Sequence, residues 1–218
     1  MKNLLKSTTW LCLAIIAVIS CNSDDGTEPN LSPLSTSTNN MVDFISGEVL
    51  GTTTVERYED KIKFQVNTSN LIPGHVYHLI VATIDQPEYC ETKPCTHEDW
   101  IGNVTATRPV FFVVKRWISN SETEISGNSI EENDINSFEI WLNSIINNDD
   151  FGGLQDASNA EIHIFIRSAG PVIGDGAQQL ATIDGECTTN YNFGHPDPKT
   201  PMVEGECGWL QQSVHLSP

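Results

Sequence analysis

The sequence predicts an all-β protein: a single antiparallel β-sandwich, immunoglobulin-like or jelly-roll-like, with long polar loops. Three observations predict it. Residues 61–66 (KIKFQV) alternate polar and apolar with period two, as a strand does when one face meets a core and the other meets water. Residues 76–84 and 109–118 are runs of apolar, aromatic and β-branched side chains too short for a typical core helix, and they read as strands. Turn residues such as Pro73-Gly74 punctuate these runs, supplying the restricted and permissive dihedrals that a reversal needs. Many short strands divided by turns indicate an antiparallel sandwich.

Taken in order, the chain opens on a signal peptide over residues 1–20. Lys2 and Lys6 form its positive start, and residues 11–19 an apolar stretch too short to span a bilayer as a stable helix. Val18-Ile19-Ser20-Cys21 resembles the bacterial lipobox, in which cleavage falls before a cysteine whose sulfur has received a diacylglycerol. A di- or tri-acylated Cys21 would anchor the chain durably, since each buried methylene adds roughly 0.8 kcal/mol. The rival reading is an uncleaved signal anchor or an ordinary secretory signal. Asn22-Ser23-Asp24-Asp25 resembles the acidic surface-export signal of one large group of Gram-negative bacteria, with fewer acids than that signal usually carries. The expected address is therefore the outer membrane, on the cell surface, with the periplasmic face as the alternative. Residues 21–41, rich in Ser, Thr, Pro and Asn, read as the lipidated cysteine and a flexible tether, and residues 42–218 as one folded domain without internal repeat or linker.

Within that domain, weaker strand candidates are residues 44–50, 53–58, 102–107 and 210–215. A further clear strand covers 160–167, with Ala160, Ile162, Ile164 and Ile166 on one side and Glu161, His163, Phe165 and Arg167 on the other. Residues 138–146 suit a strand or a short helix, and the strand is preferred. Residues 119–136 and 188–205 read as polar loops.

Removing residues 1–20 takes Lys2 and Lys6 from the 11 basic residues, leaving 9 against 29 acids, a formal charge of −20. Such a surface repels phosphates, so nucleic acid is not an expected partner and anionic headgroups are disfavoured. Acidity is most simply a solvated surface; its functional reading is calcium or a cationic partner. Four cysteines fall in the domain: Cys90, Cys95, Cys187 and Cys207. An even count in an exported chain argues for disulfides; three pairings are open, and the close spacings favour Cys90–Cys95 and Cys187–Cys207. A zinc–thiolate site is the rival, disfavoured by spacing and by an oxidising compartment.

Three candidate sites emerge. The loop from Asp85 to Asp99 carries Asp85, Glu88, Glu91, Glu98 and Asp99, which would suit calcium or simply form an acidic surface loop stapled for stability. His163 shares a strand face with Glu161 and Arg167; together they would make an ion-pair row, bind an anion, or hold a transition metal if His75, His78 or His215 came close. Trp100, Trp117, Trp141 and Trp209 would present flat surfaces to sugars or peptides, or fill the core. The sequence carries no Gly-rich phosphate loop, no GxSxG elbow and no HExxH.

Several of these segments together resemble an uncharacterised family of exported bacterial β-rich proteins. The resemblance rests on Leu71-Ile72-Pro73-Gly74-His75-Val76-Tyr77, Pro87-Glu88 with Cys90, Cys95 with Glu98-Asp99, Ala160-Glu161-Ile162-His163 with Arg167, and Gly170-Pro171 with Gln178-Gln179 and Cys187. It implies export, a β-rich single domain and no particular reaction. Ala169 stands where the family often has a second histidine; were that histidine a metal ligand, its loss would weaken a metal reading here. The leading expectation is a lipid-anchored surface binding module whose ligand the sequence does not identify, a glycan or a protein being the candidates, in preference to an enzyme. A metal-dependent enzyme or redox protein centred on His163 is the alternative, and an envelope scaffold a third.

Overall fold

The computed structural model describes residues 32–131, 153–172 and 208–218. They form an all-β fold whose eight strands are β1 (Ser35–Asp43), β2 (Val49–Arg57), β3 (Lys61–Thr68), β4 (His75–Ile84), β5 (Pro109–Ile118), β6 (Glu124–Glu131), β7 (Glu161–Pro171) and β8 (Gly208–His215). Between β4 and β5 lie a 3₁₀ turn (Pro87–Tyr89), α1 (His97–Gly102) and α2 (Val104–Thr107). The strands join in one sheet of order β5-β4-β7-β8-β1-β2-β3-β6, with every pair antiparallel.

That order forces the sheet to curl. β5 and β6 stand at its two ends, yet residues 119–123 alone connect them. Such a connection reaches roughly 20 Å when fully extended, whereas eight strands laid flat would span about 34 Å. The end strands therefore approach, and Lys115 of β5 forms an ion pair with Glu124 of β6. Val110 and Phe112 from one end share an interior cluster with Phe64 and Ile130 from the other, closed by Ile162, Ile164 and Ile166 of β7. Hydrogen bonding thus runs through one continuous sheet folded on itself.

The strands expected at 61–66, 76–84, 109–118, 160–167 and 210–215 fall in β3, β4, β5, β7 and β8. β7 divides its side chains as its alternation implies. Its isoleucines enter the interior, while Phe165 joins a second cluster on the outer face with Ile80, Ile84, Trp100, Phe111 and Trp209. β4 and β7 are consequently buried on both faces.

Four expectations are corrected. The folded part starts at Ser35 rather than Val42, because β1 occupies the end of the supposed tether. Its polar sequence STSTNNMVD suits a strand whose inward Ser37 and Asn39 are hydrogen-bonded, to the His215 ring and to the Val214 carbonyl. Residues 44–50 are mostly the β1–β2 turn: Asp43 Oδ1 accepts the N–H of Ile45 and of Ser46 at 3.0 and 2.7 Å, and Gly47 takes φ +73°. Residues 102–107 are helical, ended by Arg108 in the left-handed region at φ 51°. Residues 119–136 are not all loop, since β6 pairs along the length of β3 and sends Ile130 into the core. Residues 138–146 and 188–205, Trp141, Cys187, Cys207 and the segment through Cys21 lie outside the described residues.

Candidate functional site

Asp85 follows β4, Arg108 precedes β5, Asn159 lies just before β7 and Ser217 just after β8. These four strands are neighbours, and the pairs Ile84–Pro109, Ile84–Glu161 and Ile162–His215 bring their ends together. The residues leaving them therefore meet at one end of the sheet, where a cleft of about 450 Å³ opens. Its acids are Asp85, Glu88 and Asp156, its amides Gln86, Gln155 and Asn159, and its cation Arg108.

Asp85 is only 4 % exposed. Its Oδ2 accepts the Gln155 N–H at 3.0 Å, while the buried Oδ1 has no hydrogen-bond partner. Burial raises its pKa to about 6, and the Asp156 carboxylate adds to this, against the Gln155 hydrogen bond, the Arg108 charge and the backbone N–H of Asp156. Burial also works on Asp156, but hydrogen bonds from Asn159 and Ser158 outweigh it and hold that carboxyl below its usual range. Two acids on one cleft thus differ in proton affinity because one is solvated by its own turn and the other is not. Arg108 keeps a left-handed backbone that non-glycine residues rarely adopt, and such strain is commonest at functional positions.

The β4–β5 connection folds back over the outer face. Trp100 of α1 lies 4.8 Å from the His163 ring and 5.6 Å from Phe111, centroid to centroid. The Cys90–Cys95 disulfide, with Cα atoms 5.4 Å apart, holds this connection as the spacing suggested. Its acids diverge. Asp99 turns inward, accepting the N–H groups of Glu91 and Thr96, each at 2.7 Å, and the Thr92 hydroxyl at 2.8 Å. Those bonds overcome the burial that would raise its pKa, and hold it low. Glu98 is exposed, whereas Asp85 and Glu88 face the cleft. Among the described residues no three His, Cys, Asp or Glu side chains converge as a metal-binding set.

His163 and Glu161 do meet: His163 Nε2 lies 2.6 Å from Glu161 Oε1, which also accepts the Cys95 N–H at 2.7 Å. Both are buried, so the pair ties the disulfide loop to β7. Arg167 is fully buried on the same face, beyond Phe165. His215 faces the opposite way, its Nδ1 2.8 Å from the Ser37 hydroxyl and its Nε2 2.7 Å from that of Thr53. Burial, then the charge of Arg57 and the nearby His163, lower its pKa to about 4. His75 begins β4, at the far end of that strand from the Ala82–His163 pair. The three histidines are therefore not brought to one point.

Of the tryptophans, Trp100 and Trp209 are buried in the outer cluster and Trp117 packs partly buried against the interior. The exposed aromatic nearest the cleft in sequence is Tyr89, beside Glu88 and 54 % exposed. Sequence reasoning singled out Asp85 and Glu88 but missed Arg108, Gln155, Asp156 and Asn159. The available signal was position: each lies a few residues outside a buried strand, at a common end. No protein-family pattern, no curated protein and no solved structure matches the chain.

Proposed function

We propose that this chain is an exported lipoprotein, anchored through Cys21 to the outer membrane of a Gram-negative bacterium, whose folded domain binds a small polar ligand in the Asp85–Arg108 cleft. The observation that carries the binding reading is the cleft itself, with a buried carboxyl retaining an unpartnered oxygen among amides and one guanidinium. Buried polar atoms are normally satisfied, so an orphan oxygen beside a cleft is a reason to look for a ligand there. Three acids against one arginine favour a ligand rich in hydroxyl or amine donors, such as a sugar or a polyamine, over an anion.

The anchor rests on residues 1–21, and on the family resemblance in so far as that family is exported. Display at the cell surface follows from the acidic residues after Cys21. Two experiments test the reading. Intact mass of the membrane-extracted protein should begin at an acylated Cys21, and Cys21→Ser should yield an unacylated chain; an acylated or membrane-retained variant contradicts the anchor. A thermal-shift panel of sugars and polyamines should contain ligands that stabilise the wild type and lose their effect in Asp85→Asn; equal shifts in both proteins contradict the cleft.

A further inference from the structure

The outer face of the sheet carries a second polar group, distant from the cleft. His78 of β4 pairs directly across the ladders with Arg116 of β5 and with Arg167 of β7. Strand alternation puts His78 on the side of Ile80, Ala82 and Ile84, toward the outer cluster. The imidazole is fully buried, yet neither Nδ1 nor Nε2 has a hydrogen-bond partner. A ring in that position leaves one donor and one acceptor unsatisfied, which buried polar groups normally avoid. Like charges are normally kept out of adjacent cross-strand positions. Here two guanidiniums, roughly 10 Å apart at the backbone, bracket a single ring. In a chain with 29 acids and 11 basic residues, no carboxylate among the described residues pairs with Arg116, which is exposed.

We propose that Arg116, His78 and Arg167 form a binding site for a small oxyanion, reached from the exposed β5 side. A phosphate, sulfate or carboxylate held by the exposed Arg116 would accept its guanidinium N–H groups, in the geometry that makes arginine an oxyanion ligand, and reach the ring N–H of His78 as the side chains packed over that ring shift aside. Arg167, which has other partners too, supplies positive charge from the β7 side of the ring. Burial and the charges of Arg167 and Arg116 lower the His78 pKa to about 3, so the ring is neutral at ordinary pH and can donate one hydrogen bond without repelling the arginines further. The same cation pair disfavours a metal ion at these nitrogens.

The test is calorimetric titration of the full chain, extracted in detergent, with inorganic phosphate, sulfate and acetate against chloride at matched ionic strength. Saturable binding of at least one oxyanion is expected, weakened about tenfold or more by Arg116→Ala. Because Arg116 is exposed, that variant should keep the wild-type unfolding midpoint without anion. His78→Phe should abolish binding. No saturable binding by any of the three anions at about 10 mM would overturn the site, as would undiminished binding in a folded Arg116→Ala protein.

Discussion

Asp85→Asn removes an ionisable group while keeping the side-chain shape and the oxygen that accepts the Gln155 N–H. Burial pushes the folded carboxyl up to about 6, from an ordinary value of 3.8 in the unfolded chain. A raised carboxyl pKa means that the folded state binds its proton more tightly than the unfolded chain does. Stability from that proton is full below 3.8 and is lost as pH rises through 6. At about 1.36 kcal/mol per unit, the wild type gives up about 3 kcal/mol across this window, and the asparagine variant does not. Replacing the orphan oxygen by an amide adds an offset that does not vary with pH. Urea titrations of both proteins at a series of pH values separate the two effects. The stability of the variant relative to wild type should climb with pH by up to about 3 kcal/mol, then level off above 6. A difference that is flat with pH would refute the burial argument for Asp85. A carboxylate retained at such a cost in neutral conditions is what a binding site accepts in exchange for function.

Glu161→Ala leaves the Cys95 N–H and the His163 ring without their acceptor, and should cost about 3 kcal/mol in urea unfolding, with Glu161→Gln recovering part; a loss under about 0.5 kcal/mol would show the pair to be dispensable. In Gly51→Ala the new Cβ would clash with the Asn67 carbonyl oxygen, so the β2–β3 pair must separate, and a drop of about 3 kcal/mol is expected by thermal or urea unfolding, where an unchanged midpoint would deny the close approach. His215 stays neutral until about pH 4 when folded but takes a proton near 6.5 when unfolded, so stability falls as pH drops through that window. His215→Asn should flatten that part of the profile by about 3 kcal/mol, as read from the same urea series, and an unaltered slope would assign the acid sensitivity elsewhere.

The strands legible in the sequence are those whose side chains obey one simple rule. β3 alternates because one face is wet, while β4 and β5 read as apolar runs because β4 is covered on both faces and the first half of β5 is buried. β1 was hidden because the sheet interior there is polar: Thr53 and Ser213 bond each other at 2.6 Å, so Ser, Thr and Asn mark a buried seam instead of a linker. α2 was hidden because Val104-Thr105-Ala106-Thr107 mimics a β-branched strand while the capping box of Thr96 and Asp99 has already started a helical path. The Glu161–His163 pair was visible as a shared strand face, since two residues along a strand always share one. The cleft was not, because its members come from the ends of four strands separated by up to 132 positions, and only the sheet order joins Asp85 to Ser217.

Whether this end of the sheet binds a ligand is decided by amide-shift mapping of the isotopically labelled protein with the most stabilising sugar or polyamine. Shifts should concentrate on Asp85, Glu88, Arg108, Asp156 and Asn159, saturate with ligand and be absent in Asp85→Asn. Saturable shifts confined to other faces of the sheet, or none for any ligand that raises the unfolding midpoint, would contradict a binding site at this end.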